Sequence, residues 1–203
     1  SYNEIIFYRK TNSSLHLVSQ CDSRDNFYTL RQSIVKATIA SFMMELLAAL
    51  TAAEDSNIAV FELALQCLQE LVNSDKPDKI AAIFKIKMLT LSGFKPQLDA
   101  CVSCGNKVFG QSKFSLSLGG LLCDRCWQKD TASRQIFRGT IASIMHIEKN
   151  DVKNNLNLGL NPQIKKELDL ILNAFLNFHL EKELKSQRVI NYLDNAYAGV
   201  NEE

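Results

Sequence analysis

Along the first 25 positions the apolar residues belong to two short runs rich in β-branched and aromatic side chains, EIIFYR (4–9) and LHLVSQ (15–20), separated by the turn-forming TNSS. These runs predict two strands. A pair of strands does not form a stable sheet alone, so both must pair or pack with something else. After Asp25 the period changes to that of a helix. FYTLRQSIVKATIASFMMELLAAL (27–50) places Phe27, Leu30, Ile34, Ser41 or Phe42, and Leu46 at helical spacing. Its middle is apolar almost all round, which predicts a central core helix. A second helix is predicted over 58–72, with Phe61, Leu65, Leu68 and Val72 in a stripe, and a third over 78–92, where Gly93 ends it and Pro96 blocks continuation. A cysteine-rich segment follows, then a fourth helix over 132–147. The Asn-rich stretch 150–161 reads as a loop. Asn161-Pro162 opens a last helix that carries Ile164, Leu168, Ile171, Phe175 and Phe178 on one face and runs to about Lys185. The expected fold class is mostly α: a helical domain over 26–203 with a four-cysteine module at 99–128, preceded by strands in 1–25.

The segment CVSCGNKVFGQSKFSLSLGGLLCDRC (101–126) holds two C-x-x-C pairs, Cys101/Cys104 and Cys123/Cys126, with eighteen residues between them. That spacing is what a four-thiolate zinc site requires. Two intervening residues let both thiolates of a pair turn toward one ion, and Gly105 supplies a permissive turn. Phe114, Leu116 and Leu118 alternate with serines ahead of a Gly119-Gly120 turn, so the insert reads as a small β-element around structural Zn2+. Four thiolates fill a tetrahedron and leave no position for a catalytic water. A redox C-x-x-C would need a βαβ surrounding that the pattern lacks, and a disulfide framework fits poorly with the absent signal peptide. An iron–sulfur cluster accepts the same four ligands. Cys67 sits in a helical stripe and reads as a small core residue; Cys21 stands apart.

Net charge is only +1, but it is segregated. Residues 37–75 contain no Lys or Arg and are net −6; residues 76–95 and 101–138 are each net +4. Such basic stretches attract phosphates, although charged helix faces are also simply solvated. No apolar run is long enough to span a bilayer and no leader pattern opens the chain, so a cytoplasmic, soluble protein is expected. The chain starts at Ser1 directly in strand-like sequence, as a truncated N-terminus would.

Catalytic signatures are missing. His16, His146 and His179 are scattered, and His179 falls four positions after Phe175, at the core or its rim. Gly119-Gly120 lacks the Lys-Ser or Lys-Thr of a phosphate loop. Glu181 and Glu183 sit in a solvated EKELK helix end. The chain is expected to bind or mediate rather than to catalyse.

The run KIKMLTLSGFKPQLDACVSCG followed by FSLSLGGLLCDRC, together with FELALQCLQELV and HLEKELKSQRVI, resembles the bacterial DNA repair protein RecO family in order and spacing over almost the whole chain. The resemblance implies an N-terminal OB-fold barrel, of which EIIFYRK and LHLVSQ would be the last strands, followed by a helical domain bearing the cysteine module. It implies a recombination mediator, not an enzyme, associated with the nucleoid. Such a mediator binds single- and double-stranded DNA, anneals strands, works with RecR and RecF, and helps load RecA onto DNA coated by single-strand binding protein. On that basis the candidate DNA contacts are Arg9 and Lys10, beside Phe7 and Tyr8 on the barrel remnant, and Lys107, Lys113, Arg125 and Lys129 on the cysteine module. Lysines of the helix from Lys79 to Lys87 would offer charge to the acidic, Phe-ending tail of single-strand binding protein. The rival readings are a protein-only adaptor with a structural zinc site, and a thiol redox or metal-dependent enzyme.

Overall fold

A computed structural model describes residues 1–12, 15–52 and 56–198. Ser13 and Ser14 of the predicted turn, and Glu54 and Asp55 of the acidic run, lie outside the described residues. The chain opens with two antiparallel strands, β1 (Tyr2–Tyr8) and β2 (Leu17–Asp25), pairing Ile5 with Cys21 and Tyr8 with Leu17. The second strand runs past its expected end into polar sequence, because Gln20 to Asp25 pair with the first half of β1 and Arg24 bridges to Glu4 across the ladder. Both faces of this ribbon are solvated: Ile5, Ile6, Phe7, Leu17 and Val18 are each about half exposed. It touches the helices through Tyr2, whose ring lies 5.8 Å from that of Phe61.

The remaining architecture is helical. A 3-10 turn at Tyr28–Gln32 is separated from α1 (Ile34–Leu50) by Ser33, whose hydroxyl accepts from the Lys36 N–H. The single helix expected from Phe27 is therefore two pieces, divided by a side-chain N-cap. Two further helices, α2 (Ile58–Asn73) and α3 (Pro77–Leu91), follow at the expected positions. The central helix is α3, not α1. Every residue from Ile80 to Leu89 except Lys87 is buried, whereas α1 buries one face and leaves Ile34 and Met44 in solvent.

After the cysteine module, Arg134–Ile136 forms β5 and α4 begins only at Arg138 and runs to Lys149. The helix expected from 132 is replaced at its start by a strand, because Arg134 and Ile136 pair with Phe114 and Ser112. The Asn-rich stretch is not all loop: α5 (Val152–Leu156) starts at Asp151, whose carboxylate accepts from the Asn154 N–H at 2.7 Å. Fully buried Asn155 donates its side-chain amide to the carbonyls of Ile147 and Asn150, closing the end of α4.

The last predicted helix, α6 (Pro162–Leu180), ends short of Lys185 at Glu181, which lies in the left-handed region at φ 53°, and a further helix that the pattern did not predict, α7 (Lys185–Ala198), follows. The start of α7 is capped from α1. The Glu45 carboxylate accepts from the Lys185 N–H at 3.0 Å, the Ser186 N–H at 2.9 Å and the Ser186 hydroxyl. Burial works against the charged form of Glu45, yet these donors outweigh it and hold its carboxyl below the usual range. The bond set therefore contributes stability above the ordinary glutamate value, about pH 4.3, and loses it as pH falls through the lower folded value. Glu45→Ala is expected to cost about 1–2 kcal/mol at neutral pH, to free the 181–185 connection for tryptic cleavage, and to lose its distinction from wild type in acid. Melting curves at pH 7 and pH 3, with a timed tryptic digest, check this.

Candidate metal centre and nucleic-acid surface

The first cysteine pair lies on a tight turn. The Gly105 N–H donates to the Cys101 carbonyl at 2.8 Å, the Cys101 N–H donates to the Asn106 carbonyl at 2.9 Å, and Gly105 takes a left-handed φ of 72°. The second pair ends a strand: Cys123 closes β4 (Gly120–Cys123), and Cys126 follows in a 3-10 turn at Asp124–Lys129. Strand β3 (Ser112–Ser115) joins β4 and β5 into a three-stranded antiparallel sheet with β3 in the middle. The approach segment 97–102 is stitched to that sheet. The Gln97 N–H donates to the Gly119 carbonyl at 2.9 Å, the Leu121 N–H donates to the Gln97 carbonyl at 3.0 Å, and the Val102 N–H reaches the Leu121 carbonyl at 2.8 Å. Gly120 permits this crossing, since a Cβ there would stand 2.3 Å from the Gln97 carbonyl oxygen.

The result brings four sulfurs from distant sequence within 4.8 Å of one another, with Cys101, Cys123 and Cys126 buried and Cys104 exposed. Burial alone would raise the Cys101 thiol. The N–H groups of Cys123, Cys104 and Ser103 outweigh burial and bring it down to about 6. Burial and the neighbouring sulfurs push Cys123 up to about 12. The donor set is soft, closed and the right size for one metal ion. Beneath it, the Asp130 carboxylate accepts from the hydroxyls of Ser115 and Ser117 and from the Ala132 N–H; the serine bond, working against burial, draws its carboxyl down. Sequence reasoning missed this brace, whose only signal is an acid just past the second cysteine pair.

The predicted DNA contacts fall in two separate places. Arg9 and Lys10 are exposed at the end of β1, where the Phe7 ring stacks on His16 at 5.5 Å. Lys107, Arg125 and Lys129 are exposed around the cysteine cage. Lys113 is half-buried, its ammonium 5.1 Å from the centre of the Trp127 ring. Arg134 in β5 and Arg138 at the start of α4 are also exposed.

The helix from Lys79 to Lys87 does not present its charge to solvent as expected. Lys79 donates to the Leu156 and Leu158 carbonyls, Lys87 donates to the Glu148 carbonyl at 2.9 Å, and Lys85 is buried against Asn173 Oδ1 at 2.6 Å. Two of these ammonium groups close the C-terminal ends of α5 and α4, where helix carbonyls lack partners. Burial holds Lys79 and Lys87 below the ordinary lysine value. A cleft of mixed charge lies nearby, with Lys165 paired to Asp78 at 2.8 Å and Lys85 to Asp169 at 3.9 Å. It has a volume of about 560 Å³ and is lined by Ile39, Leu170 and Ile190 with Lys165 and Lys166, and also by Asp78 and Asp169.

Other candidate residues are structural. Cys67 is fully buried, and burial pushes its thiol up to about 12. His179 packs against the rings of Phe175, Phe94 and Phe178 with centroids 4.3, 5.0 and 5.5 Å away, and burial holds it below the ordinary imidazole value. Among the described residues no helix is long and apolar enough to cross a membrane.

Residues 31–188 match the family model described as recombination protein O C terminal. Similar proteins include the DNA repair protein RecO of Dehalococcoides mccartyi, 30% identical over 196 residues, covering 96% of this chain and 76% of that one. The protein of the same name from Pelotomaculum thermopropionicum is 31% identical over 193 residues, covering 95% and 75%. That of Bacillus pumilus is 29% identical over 189 residues, covering 93% and 73%.

Proposed function

This chain belongs to the recombination protein O family, and from that premise we propose that it is a DNA repair and recombination mediator whose cysteine module carries a DNA-contacting surface. It binds single- and double-stranded DNA, promotes annealing and, with RecR and RecF, assists RecA loading onto DNA coated by single-strand binding protein. It does so in the cytoplasm at the nucleoid, without catalytic turnover. The observation that carries the reading is the ring of exposed cations, Lys107, Arg125 and Lys129, none of which has an ion-pair partner among the described residues. Uncompensated cations on a rigid module are what a phosphate backbone selects.

In this reading Cys101, Cys104, Cys123 and Cys126 hold one structural zinc ion, which fixes the module's shape. The cleft that carries Lys166, with apolar walls at Leu170 and Ile190, suits an acidic tail ending in an aromatic residue. Arg9 and Lys10 give a second phosphate surface on the β1–β2 ribbon.

Reversing Lys107, Arg125 and Lys129 together to Glu is expected to weaken binding to a labelled oligonucleotide at least tenfold at 50 mM salt. The slope of log affinity against log salt should flatten by about two units, because each lost phosphate contact removes about 0.7–0.9. Fluorescence anisotropy between 50 and 200 mM salt measures both. Unchanged affinity would instead favour an adaptor whose cysteine module touches only protein.

A further inference from the structure

The loop between the first cysteine pair and β3 presents Phe109 to solvent at 83% exposure, more than any other large apolar side chain among the described residues. It is no frayed tip. Gly105 and Gly110 hold the loop's bends at φ 72° and 117°, and its neighbour Val108 packs against both the helical core and the sulfur cluster. Val108 and Gly110 also line a cleft of about 490 Å³ between this loop and the start of α4; Phe109 sits between these two lining residues in the chain, with its own ring in solvent. The walls are apolar, from Leu98, Ile141 and Met145. Arg138 lines it too, exposed and without a hydrogen-bond or ion-pair partner among the described residues. Buried Ser112 contributes a hydroxyl that has no partner. Asp99 is the one acid in the lining.

An apolar slot, an exposed aromatic ring on the adjoining loop, a few hydrogen-bonding groups and an exposed cation in the lining match the parts of an unstacked nucleotide: a π-face, a polar edge and a phosphate. We infer that this cleft receives one unstacked base of a single strand, with Phe109 as the stacking side chain and Arg138 as a phosphate contact. Asp99 then accepts from an exocyclic amino group of the base, which makes its charge useful rather than repulsive. A duplex, whose bases are already stacked, gains nothing from Phe109. The inference rests on the DNA-contact reading above and adds a preference for single strands to it.

The test compares labelled oligo-dC, whose base carries the exocyclic amino group, with a duplex of equal length. Phe109→Ala is expected to lower single-strand affinity roughly five- to 150-fold, leave the salt slope unchanged, and alter duplex affinity less than about twofold; Phe109→Trp retains single-strand binding. Arg138→Ala should lower the salt slope by about 0.7. Metal content and melting temperature of Phe109→Ala should match wild type, since its ring is in solvent. No loss on oligo-dC, or an equal loss on duplex, overturns the inference. If the triple Glu variant weakens binding while Phe109→Ala does not, only the stacking role falls; if neither does, the DNA-contact reading of the module falls as well.

Discussion

Cys123→Ser is expected to strip the metal from the chain and unravel the module while the helices before it stay folded. Zinc per chain should drop from one to well below one, and the 97–130 region should become the first site of proteolysis. The reason is cooperative geometry. Cys123 closes β4, donates its N–H to the Cys101 sulfur at 3.4 Å, and lies 3.8 Å from the Cys104 sulfur. Losing it removes a ligand and the bridge between the two pairs together. Structural zinc in small sites contributes on the order of 10 kcal/mol, more than any one core side chain. Metal uptake should also release protons and weaken in acid, since Cys123 and Cys126 sit above the ordinary thiol value without a cation. Full zinc content and an unchanged melting curve in Cys123→Ser would refute a four-thiolate site.

Phe175→Ala is the second large effect, and it separates the cage from its foundation. The Phe175 ring is 2% exposed and meets the edge of Phe114, on the central module strand, at 5.7 Å. It is the point where the β-sheet under the cysteines rests on α6. Emptying it should cost about 3–5 kcal/mol, roughly 6–20 °C in melting temperature for a chain of this size. Phe178→Ala, three positions on and 49% exposed, should cost far less. Zinc stoichiometry should remain one per chain, because the knuckle turns are built from local hydrogen bonds. A zinc-depleted Phe175→Ala protein would mean that the cage depends on the helices to form.

What the sequence made legible was local. The thiolate spacing, the Gly105 turn, the Asn161-Pro162 helix start and the α2 stripe each depend on residues a few positions apart, and each is present. What it hid depended on distant partners. The start of α7 is capped by Glu45, 140 positions away, so no neighbouring residue announces it. Strand β5 exists because β3 offers an edge some twenty residues upstream. The role of α3 was masked by Lys85 and Lys87, which look like a solvated face. Their stems instead cross buried space to carry the ammonium groups to Asn173 and to the Glu148 carbonyl. The cysteine cage was readable because its ligands come as pairs. Phe109 was not, because only the fold distinguishes an aromatic ring left outside from one packed within.

The hub position of α3 has a consequence for the order of events during synthesis. Helices α1, α2 and α3 leave the ribosome before α6 and can pack on one another at once. The partners of Lys85, Asn173 and Asp169, belong to α6 and emerge more than eighty positions later. At about 5–20 residues per second, the apolar flank of α3 waits uncovered for roughly four to seventeen seconds. In that interval a half-made chain carries a sticky helix face whose cover has not been translated. Slower elongation across the cysteine segment would lengthen the exposure, so yield in the cell should be governed by translation speed and chaperone supply as much as by the stability of the finished protein.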